Sequence, residues 1–462
     1  MHSHRPLHCR TSLRSIVLLA AFTLATTHAA SAEALLLVDA DSGKVLQAEN
    51  ATYPWYPASI TKLMTAYVTL KAVKEGRITL DTLFTVSPVA ASQSPSKMGF
   101  KPGTQVTVDN ALKMLMVKSA NDMAVVLAEG VGGSVDGFSA LMNQNAKRLG
   151  MTQTNYVNPN GLPAEGHVTS ARDQAILARA IIHDLPEYEY FVHIPSIRYG
   201  RRVTQNFNKL IGRYPGADGF KTGFICASGY NLVASATRNG KRLIAVVLGA
   251  SSGHARSVKA IQLLDRGFAS DTLTWLRPSL GTVDSLVPVD ASPPDLHDEM
   301  CSGKRHRPAS DDDDIIAGNG TPDGSGQALA FFSTVQTQAL KPSEILAAAP
   351  VPSEPIPVYA GPTRTGAALI ATVAADAAAD ERAAAARHRG KKSHVAAKKP
   401  PEATPGDTVK EAKSASKPAK HANARPDATA KTGDKPAASA KPKAVAKPAR
   451  PAPKPDAKSS NG

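Results

Sequence analysis

Aromatic residues are scarce in this chain, and one end has none. Phe, Trp and Tyr make up 5% of the 462 residues, and none occurs between Arg387 and Gly462. That stretch carries 19 Lys and Arg against 6 Asp and Glu, which accounts for most of the formal net charge of +15. Because such a composition cannot bury enough apolar surface to fold, we expect residues 376–462 to be a disordered basic tail rich in Ala, Lys and Pro.

Cysteine is rare as well, with three in the chain. Cys9 lies near the N-terminus. The other two cysteines, Cys226 and Cys301, cannot form a framework of several disulfides, and their spacing is not that of metal ligands. One bridge between them would suit an oxidising compartment. We expect two unpaired thiols instead, because Cys301 lies in a region of uncertain fold. The sequence predicts no metal site, since its central histidines also lack ligand spacing (His167, His183 and His193).

Long apolar runs are missing, and the nearest approach to one lies at the N-terminus. A basic segment, Arg5 to Arg14, precedes an apolar stretch from Ile16 to Leu24 that is too short to span a membrane. Ala30-Ser31-Ala32 fits the small-x-small cleavage rule, so residues 1–32 are interpreted as an export signal. The sequence therefore predicts a protein of the periplasm or cell envelope, with no transmembrane anchor.

Three short strings carry the chemistry: Ser59-Ile60-Thr61-Lys62, Ser119-Ala120-Asn121 and Lys221-Thr222-Gly223. A serine hydroxyl is a poor nucleophile unless a base lies beside it. In Ser-x-x-Lys the two side chains stand at i and i+3, on one face of a helix. The strings therefore predict a serine acyl-transfer site that uses lysine, and not histidine, as its base.

The sequence around Ser59 favours a helix that begins at about this residue. Pro57 precedes it, where proline suits a first helical turn. An apolar stripe with helical spacing follows, formed by Ile60, Leu63, Met64, Tyr67 and Val68. The backbone N–H groups at such a helix start can stabilise a developing oxyanion.

Other patterns indicate an α+β fold in which an antiparallel sheet is flanked by helices. Ala34 to Val38 and Lys44 to Leu46 are typical of two strands joined by a turn, and Leu243 to Leu248 of a central strand. Arg238-Asn239-Gly240-Lys241 predicts a type I′ hairpin turn after a strand from Tyr230 to Thr237. Strands at both ends of the segment with helices between them mean one sheet built from distant parts of the chain.

Helices are predicted from their caps and stops. The predicted ranges run from Thr107 to near Lys118, from Asp122 to Glu129 with a stop at Gly130, from Ser134 to a stop at Gly150, from Ser170 to about His183, and from Arg256 to Phe268. Asp173 stands three residues after Ser170, where its carboxylate would close a capping box.

With these residues established, the chain resembles the low-molecular-mass penicillin-binding proteins, specifically the serine-type D-alanyl-D-alanine carboxypeptidases. The resemblance covers about residues 34 to 270. Besides the three strings, it includes Thr169-Ser170-Ala171-Arg172-Asp173 and Gly229-Tyr230-Asn231-Leu232-Val233. One Ser-x-x-Lys is a weak signal, but three motifs in order are a strong one. The resemblance implies the β-lactamase/transpeptidase-like fold with a helical subdomain.

The resemblance also implies roles. Ser59 would attack the bond between two D-alanines of a peptidoglycan stem peptide, and neutral Lys62 would accept its proton. Lys221 would place positive charge near Lys62, which disfavours the protonated form of that amine. Ser119 would relay a proton to the departing D-alanine. β-Lactams would acylate the same serine and act as covalent inhibitors, and neither metal nor cofactor would take part.

Substrate binding follows from the same resemblance. Asn121 would hydrogen-bond the bound peptide, while Thr222 and Arg256 would bind its terminal carboxylate. The backbone N–H groups of Ser59 and Phe224 would form the oxyanion hole. Phe224 replaces a histidine common in the family, which leaves that backbone role intact.

The domain organisation predicted from the sequence has four parts: a signal peptide (1–32), a catalytic domain (33–272), a linker of low order with a short ordered patch from Val351 to Val373 (273–375), and the basic tail (376–462). The sequence contains no pattern for the second β-rich domain or the terminal amphipathic membrane helix of better-known members. The tail is either an inert extension or a ligand for envelope polyanions. We expect no nucleic-acid partner, since an exported chain rarely meets nucleic acid.

Three alternatives remain. A D,D-endopeptidase would cut cross-links with the same catalytic parts, and a catalytically silent scaffold would bind the wall without chemistry. A β-lactamase is disfavoured, because no Glu-x-x-Leu-Asn type string lies between the second and third motifs.

Overall fold

The computed structural model describes residues 33–269, 278–302 and 340–368, with a few scattered positions between 370 and 382. The predicted signal peptide and nearly all of the predicted basic tail lie outside the described residues.

Five antiparallel strands form the central sheet, in the order β2-β1-β9-β8-β7, which confirms the predicted α+β class. These strands are β1 (Ala34–Asp39), β2 (Val45–Glu49), β7 (Ala217–Ile225), β8 (Gly229–Arg238) and β9 (Lys241–Ala250). The predicted central strand is β9, at the middle of the sheet. Asn239 and Gly240 both have positive φ, at 51° and 76°, as the predicted type I′ turn requires.

Both faces of the sheet are buried along β1 and along β9 from Leu243, and for this reason these stretches are almost continuously apolar. On β1, Leu36 and Val38 face one hydrophobic cluster, whereas Leu35 and Leu37 face the other. The second cluster includes side chains of the helix Gly253–Ala269, and the first includes side chains of the helices between residues 62 and 184. The sheet is thus the middle of three layers.

The helices are α1 (Lys62–Lys74), α2 (Pro88–Ser92), α3 (Val108–Val117), α4 (Asn121–Gly132), α5 (Val135–Arg148), α6 (Ala171–Asp184), α7 (Gly253–Ala269), α8 (His297–Cys301) and α9 (Pro342–Ala347). The short strands are β3 (Leu83–Thr85), β4 (Gln105–Thr107), β5 (Ser196–Tyr199), β6 (Arg202–Gln205) and β10 (Ile356–Pro357). Helix α7 packs on one face of the sheet, and α1 and α3 to α6 contribute side chains to the core on the other.

The predicted N-caps Ser134 and Ser170 are confirmed, and Thr107, predicted only as the start of a helix, is a cap as well. The hydroxyls of Thr107, Ser134 and Ser170 each accept a hydrogen bond from the backbone N–H three residues later. Helix α4, however, continues past the predicted stop at Gly130. The left-handed residue that ends it is Gly133, with φ 73°, and Gly130 is instead a packing glycine whose Cβ would lie 2.4 Å from the Phe84 ring.

Asp173 does not close a capping box. Its backbone N–H donates to Ser170 Oγ at 3.1 Å, but its buried carboxylate accepts hydrogen bonds from Gln153 N at 2.8 Å and Thr154 Oγ1 at 2.7 Å. It also pairs with Arg172 at 2.7 Å. The carboxylate therefore holds the loop before residue 155 in place, because two of its hydrogen-bond donors, Gln153 N and Thr154 Oγ1, belong to that loop.

Cys226 and Cys301 form a disulfide, so the expectation of two unpaired thiols is wrong. The segment 278–302 folds back onto the end of β7. Leu296 N–H donates to Ala227 O at 3.0 Å, and the Leu296 and Met300 side chains are buried in the core. This packing brings the two cysteines together across 75 positions of sequence.

Residues 340–363, which we call the C-terminal strap, cross the surface of the catalytic segment. Ile345 joins the hydrophobic cluster of α7, and Ile356 pairs with Ile197 of β5 in parallel. Farther along, Tyr359 N–H donates to Asn110 Oδ1 at 3.1 Å and Gly361 N–H donates to Gln105 O at 2.7 Å. The strap thus connects α7, β5 and β4.

Among the described residues, no single helix has the length and apolar character to cross a membrane. The bent pair α4 and α5, at 83°, meets that criterion only when both helices are taken together.

Candidate active site

Ser59 lies on a 3₁₀ turn, Ala58–Thr61, that runs directly into α1 at Lys62. The helix expected to begin at about Ser59 therefore begins with this tighter turn. With three residues per turn, side chains at i and i+3 stand one above the other. Lys62 Nζ accordingly donates to Ser59 Oγ at 2.9 Å.

The Lys62 side chain is fully buried. Besides Ser59, its Nζ donates to Asn121 Oδ1 at 2.7 Å and to Asn160 O at 2.6 Å. These three acceptors match the three N–H donors of an ammonium group. A neutral amine has two N–H donors and one lone pair, so it can keep both asparagine contacts while its lone pair faces Ser59.

Three neighbours hold the turn Ala58–Thr61, which we call the nucleophile turn. Its residue Ala58 has a φ of 49°. The Asn231 amide of β8 donates to Tyr56 O at 2.9 Å and to Pro57 O at 3.1 Å. Gly161 lies so close that a Cβ there would be 1.8 Å from Ala58 O. Gly223 of β7 packs against the turn in the same way, since its Cβ would be 2.8 Å from Ser59 N. Only glycine allows both approaches.

Ser119 and Asn121 lie at the junction of α3 and α4, as predicted. Ser119 is nearly buried and has a left-handed backbone, with φ 59°. Asn121 begins α4, and its amide donates to Ser94 O at 2.9 Å while its carbonyl faces Lys62. The loop that ends at Gly99 is fixed over this junction, because Ser96 Oγ donates to Lys118 O at 2.7 Å.

Strand β7 carries the third motif along the open edge of the sheet. Lys221 is buried, and its Nζ lies 5.9 Å from the centroid of the Phe207 ring. The Thr222 hydroxyl is buried and has no hydrogen-bond partner among the described residues. Because an unpaired buried hydroxyl is costly, this group is suited to bind a ligand.

One cleft of about 50 Å³ is lined by residues of the first two motifs and by Phe224, which directly follows the third; Lys221, Thr222 and Gly223 do not line it. Of the residues that the sequence predicted for the site, those that line it are Ser59, Ser119, Asn121 and Phe224. Lys62 lies beneath Ser59. Arg256 does not line this cleft: its guanidinium is buried behind β7 and donates to Gly223 O at 3.4 Å and Asn231 O at 3.5 Å.

Several residues important to this geometry were not predicted as site residues from the sequence. His167 is buried, its Nδ1 accepts from Val157 N–H at 2.9 Å, and its Nε2 lies 2.9 Å from Thr61 Oγ1. Since Nδ1 accepts, Nε2 carries the proton and donates to Thr61. Burial lowers the pKa of His167 to about 4. This neutral imidazole therefore ties the nucleophile turn to the loop that carries Asn160.

Within the described residues, no group of three or more His, Cys, Asp or Glu side chains could hold a metal ion.

Comparison with known proteins gives a family match. The model of the family described as D-alanyl-D-alanine carboxypeptidase matches residues 21–252, half of the chain. The chain is 41% identical over 265 residues to D-alanyl-D-alanine carboxypeptidase DacC of Escherichia coli, covering 55% of this chain and 66% of DacC. It is 37% identical over 246 residues to DacF of Bacillus subtilis, covering 52% of this chain and 62% of DacF. The chain thus spans slightly less than two thirds of these two relatives.

Two solved structures are similar over the same part of the chain. One is the D-alanyl-D-alanine carboxypeptidase DacD from Francisella tularensis, at 32% identity and a TM-score of 0.50, covering 51% of this chain and 70% of that one. The other is penicillin binding protein 5 from Haemophilus influenzae, at 38% identity and a TM-score of 0.50, covering 52% and 71%.

Proposed function

The chain belongs to the D-alanyl-D-alanine carboxypeptidase family, and from this we propose that it hydrolyses the terminal D-alanyl-D-alanine bond of peptidoglycan stem peptides and releases D-alanine. The observation that carries the proposal is the 2.9 Å hydrogen bond between Lys62 Nζ and Ser59 Oγ, in a cleft also lined by Ser119 and Asn121. A nucleophile within hydrogen-bond reach of its base is the geometry required for covalent catalysis.

In the acylation step, neutral Lys62 takes the hydroxyl proton of Ser59 while Oγ attacks the carbonyl carbon between the two D-alanines. The oxygen that becomes negative is bound by the backbone N–H groups of Ser59 and Phe224. The C–N bond then breaks, and the proton reaches the leaving amine through Ser119. Free D-alanine departs, and the remaining peptide is an ester on Ser59.

In the deacylation step, a water attacks the ester carbonyl and Lys62 again acts as the base. The C–O bond to Ser59 breaks, and the proton returns to Oγ.

The unpaired Thr222 hydroxyl and the Lys221 ammonium would bind the terminal carboxylate of the substrate. Arg256 would act by holding β7 at Gly223, since its guanidinium faces the back of that strand.

β-Lactams would open on the same serine and leave a covalent adduct. The proposal predicts that penicillin adds one penicilloyl group to the protein, at Ser59, as read by intact mass and peptide mapping. A folded sample that takes up no adduct would instead favour the scaffold alternative. The comparisons do not favour that alternative or the cross-link endopeptidase.

The deciding experiment measures D-alanine release from a stem pentapeptide. Ser59→Ala removes the nucleophile, so release should fall by at least about 10³-fold, in the range seen when a covalent nucleophile is deleted. Ser353→Ala is the matched control, because Ser353 is exposed on the strap. Full activity in Ser59→Ala would end the proposal.

The base is tested separately. Lys62→Arg replaces the amine with a guanidinium that stays protonated and cannot act as a base, so acylation by a fluorescent penicillin should be lost. Lys209→Arg is the control, since Lys209 is exposed. Normal labelling of Lys62→Arg would show that another group takes the proton of Ser59.

We place this reaction in the cell envelope, because the substrate lies there and residues 1–32 have the pattern of an export signal. Binding of envelope polyanions by the basic tail remains a prediction from its composition.

A further inference from the structure

Two segments that border the reactive cleft contain basic residues and no acidic ones. These segments, residues 82–108 and 190–217, together hold seven Lys and Arg and no Asp or Glu. In the rest of the chain before Arg387, acidic residues outnumber basic ones. Outside the basic tail, the excess of positive charge is therefore concentrated in the two segments beside the cleft.

Both segments reach the cleft, and they contact each other. Pro95 and Ser96 of the first segment and Phe207 of the second line the cleft. The rings of Phe100 and Tyr199 pack edge to face, with their centroids 5.3 Å apart. Phe100 follows Ser96 by four residues, so its Cα lies at most about 14 Å from that of Ser96. The contact between the segments is thus close to the cleft but outside it.

One cation of each segment lies beside this ring contact. Lys101 directly follows Phe100, and Arg202 pairs with Tyr199 across the hairpin of β5 and β6. Both side chains are exposed, and neither makes a hydrogen bond or an ion pair with any described residue. The strap adds one exposed carboxylate, Glu354, two residues before β10, so the surface keeps a net positive charge. We call the two cations, with the ring contact between them, the cationic rim.

The proposed substrate carries negative charge beyond the cleft only when it is a polymer. A single stem peptide has its terminal carboxylate in the cleft, where the cationic rim does not bind it. A peptidoglycan strand carries many stem peptides, each ending in a carboxylate, so the neighbours of the reacting peptide extend outside the cleft. Exposed cations attract such a polyanion over about 10 Å at 0.1 M salt.

We propose that the cationic rim binds the carboxylates of stem peptides next to the reacting one on the same peptidoglycan strand, and so holds the polymer over the cleft. The inference rests on the proposed function, which identifies the substrate. It adds a polymer-binding surface that lies outside the three motifs and outside the basic tail.

The test compares two substrates: soluble, uncross-linked peptidoglycan strands with pentapeptide stems, and one free pentapeptide of the same sequence. Lys101→Gln combined with Arg202→Gln should lower kcat/KM for the strands by about three- to tenfold at low salt, as for two exposed ion pairs. The loss should shrink as ionic strength rises, because salt screens exposed charges. For the free pentapeptide, kcat/KM should stay within about twofold of the wild-type value, since that peptide does not reach the rim.

Lys44→Gln combined with Lys147→Gln is the matched control. It removes the same charge from two exposed lysines, in the turn between β1 and β2 and on α5, and should keep the wild-type kcat/KM for the strands. The basic tail is present in all three proteins, so its attraction for polyanions does not differ between them.

Three outcomes would overturn the inference. An equal loss on both substrates would place the effect in the cleft, and no loss on the strands would mean that the rim does not bind the polymer. Rim-dependent binding of inorganic polyphosphate, with no rim-dependent binding of the strands, would identify a phosphate polymer as the partner instead. Failure of the proposed function is a different result, in which neither substrate releases D-alanine.

Discussion

At the scale of single residues, Gly223 sets how closely strand β7 approaches the nucleophile. A Cβ at this position would lie 2.8 Å from Ser59 N and 3.0 Å from Ile60 N. Both are backbone atoms, so neither can rotate away. The glycine therefore holds the serine and the proposed oxyanion donor of Phe224 in one place.

Gly223→Ala should slow acylation by a fluorescent penicillin by about 10²-fold, because a displacement of about 1 Å at a reacting centre has an effect of that size. The labelling rate measures it, and the melting temperature of the same sample should show that the protein remains folded. Labelling at the wild-type rate would mean that the strand does not need this contact.

His167 makes the stability of the protein depend on pH. The pKa of His167 falls from 6.5 to about 4 on folding, chiefly because the ring is buried. Between these values the unfolded chain binds a proton that the folded protein does not. The contribution of the neutral ring is thus complete above about pH 6.5 and declines as the pH falls, by up to about 3 kcal/mol at pH 4.

His167→Gln removes this titration, so the free energy of unfolding should fall less between pH 7 and pH 4.5 in the variant than in the wild-type protein. Urea unfolding at a series of pH values measures the slope. His254→Gln serves as the control, because His254 is exposed. Equal slopes in the wild-type protein and His167→Gln would contradict the prediction.

At the scale of elements, the disulfide joins the end of β7 to α8. The bridge closes a loop of 75 positions, and a crosslink of that length restricts the unfolded chain strongly. It also lies directly after the strand that carries Lys221, Thr222 and Gly223. Its effect on the active site would therefore pass through that strand.

A variant with both Cys226→Ala and Cys301→Ala should lose about 2–4 kcal/mol of unfolding free energy. Urea unfolding with and without a thiol reductant measures this. Reductant should destabilise the wild-type protein by a similar amount and leave the double variant unchanged. A wild-type protein insensitive to reductant in its unfolding would contradict the expectation.

At the scale of the whole molecule, the C-terminal strap stabilises a domain from which it is distant in sequence. Two valines on the strap are the same residue type but differ in burial, so they test whether burial is what stabilises the domain. Val358 is 3% exposed and lies in the main core, whereas Val351 is 70% exposed.

Val358→Ala should therefore cost roughly 2 kcal/mol, from the lost burial and the cavity left behind. Val351→Ala should change the unfolding free energy by less than about 0.5 kcal/mol. Thermal unfolding measures both, with an expected fall of about 4–8 °C for the buried site alone. Equal effects of the two substitutions would mean that the strap does not pack as part of the core.

The sequence predicted best those structural features that depend only on residues close together in the chain. Three features depend on a few neighbouring residues: the i, i+3 pairing of Ser59 and Lys62, the caps at Ser134 and Ser170, and the turn at Asn239. Their geometry follows from backbone periodicity and side-chain chemistry alone. The family was identified by resemblance, from the three motifs and their order.

Contacts between distant segments were decided only by tertiary structure. The pairing of Cys226 with Cys301, the position of Arg256 behind β7 and the partners of Asp173 depend on which segments pack together. The roles of His167 and Asn160 beside the nucleophile turn depend on it too. A single sequence specifies local conformation through short-range rules, whereas these contacts result from burying one shared core, and no short stretch of residues records that outcome.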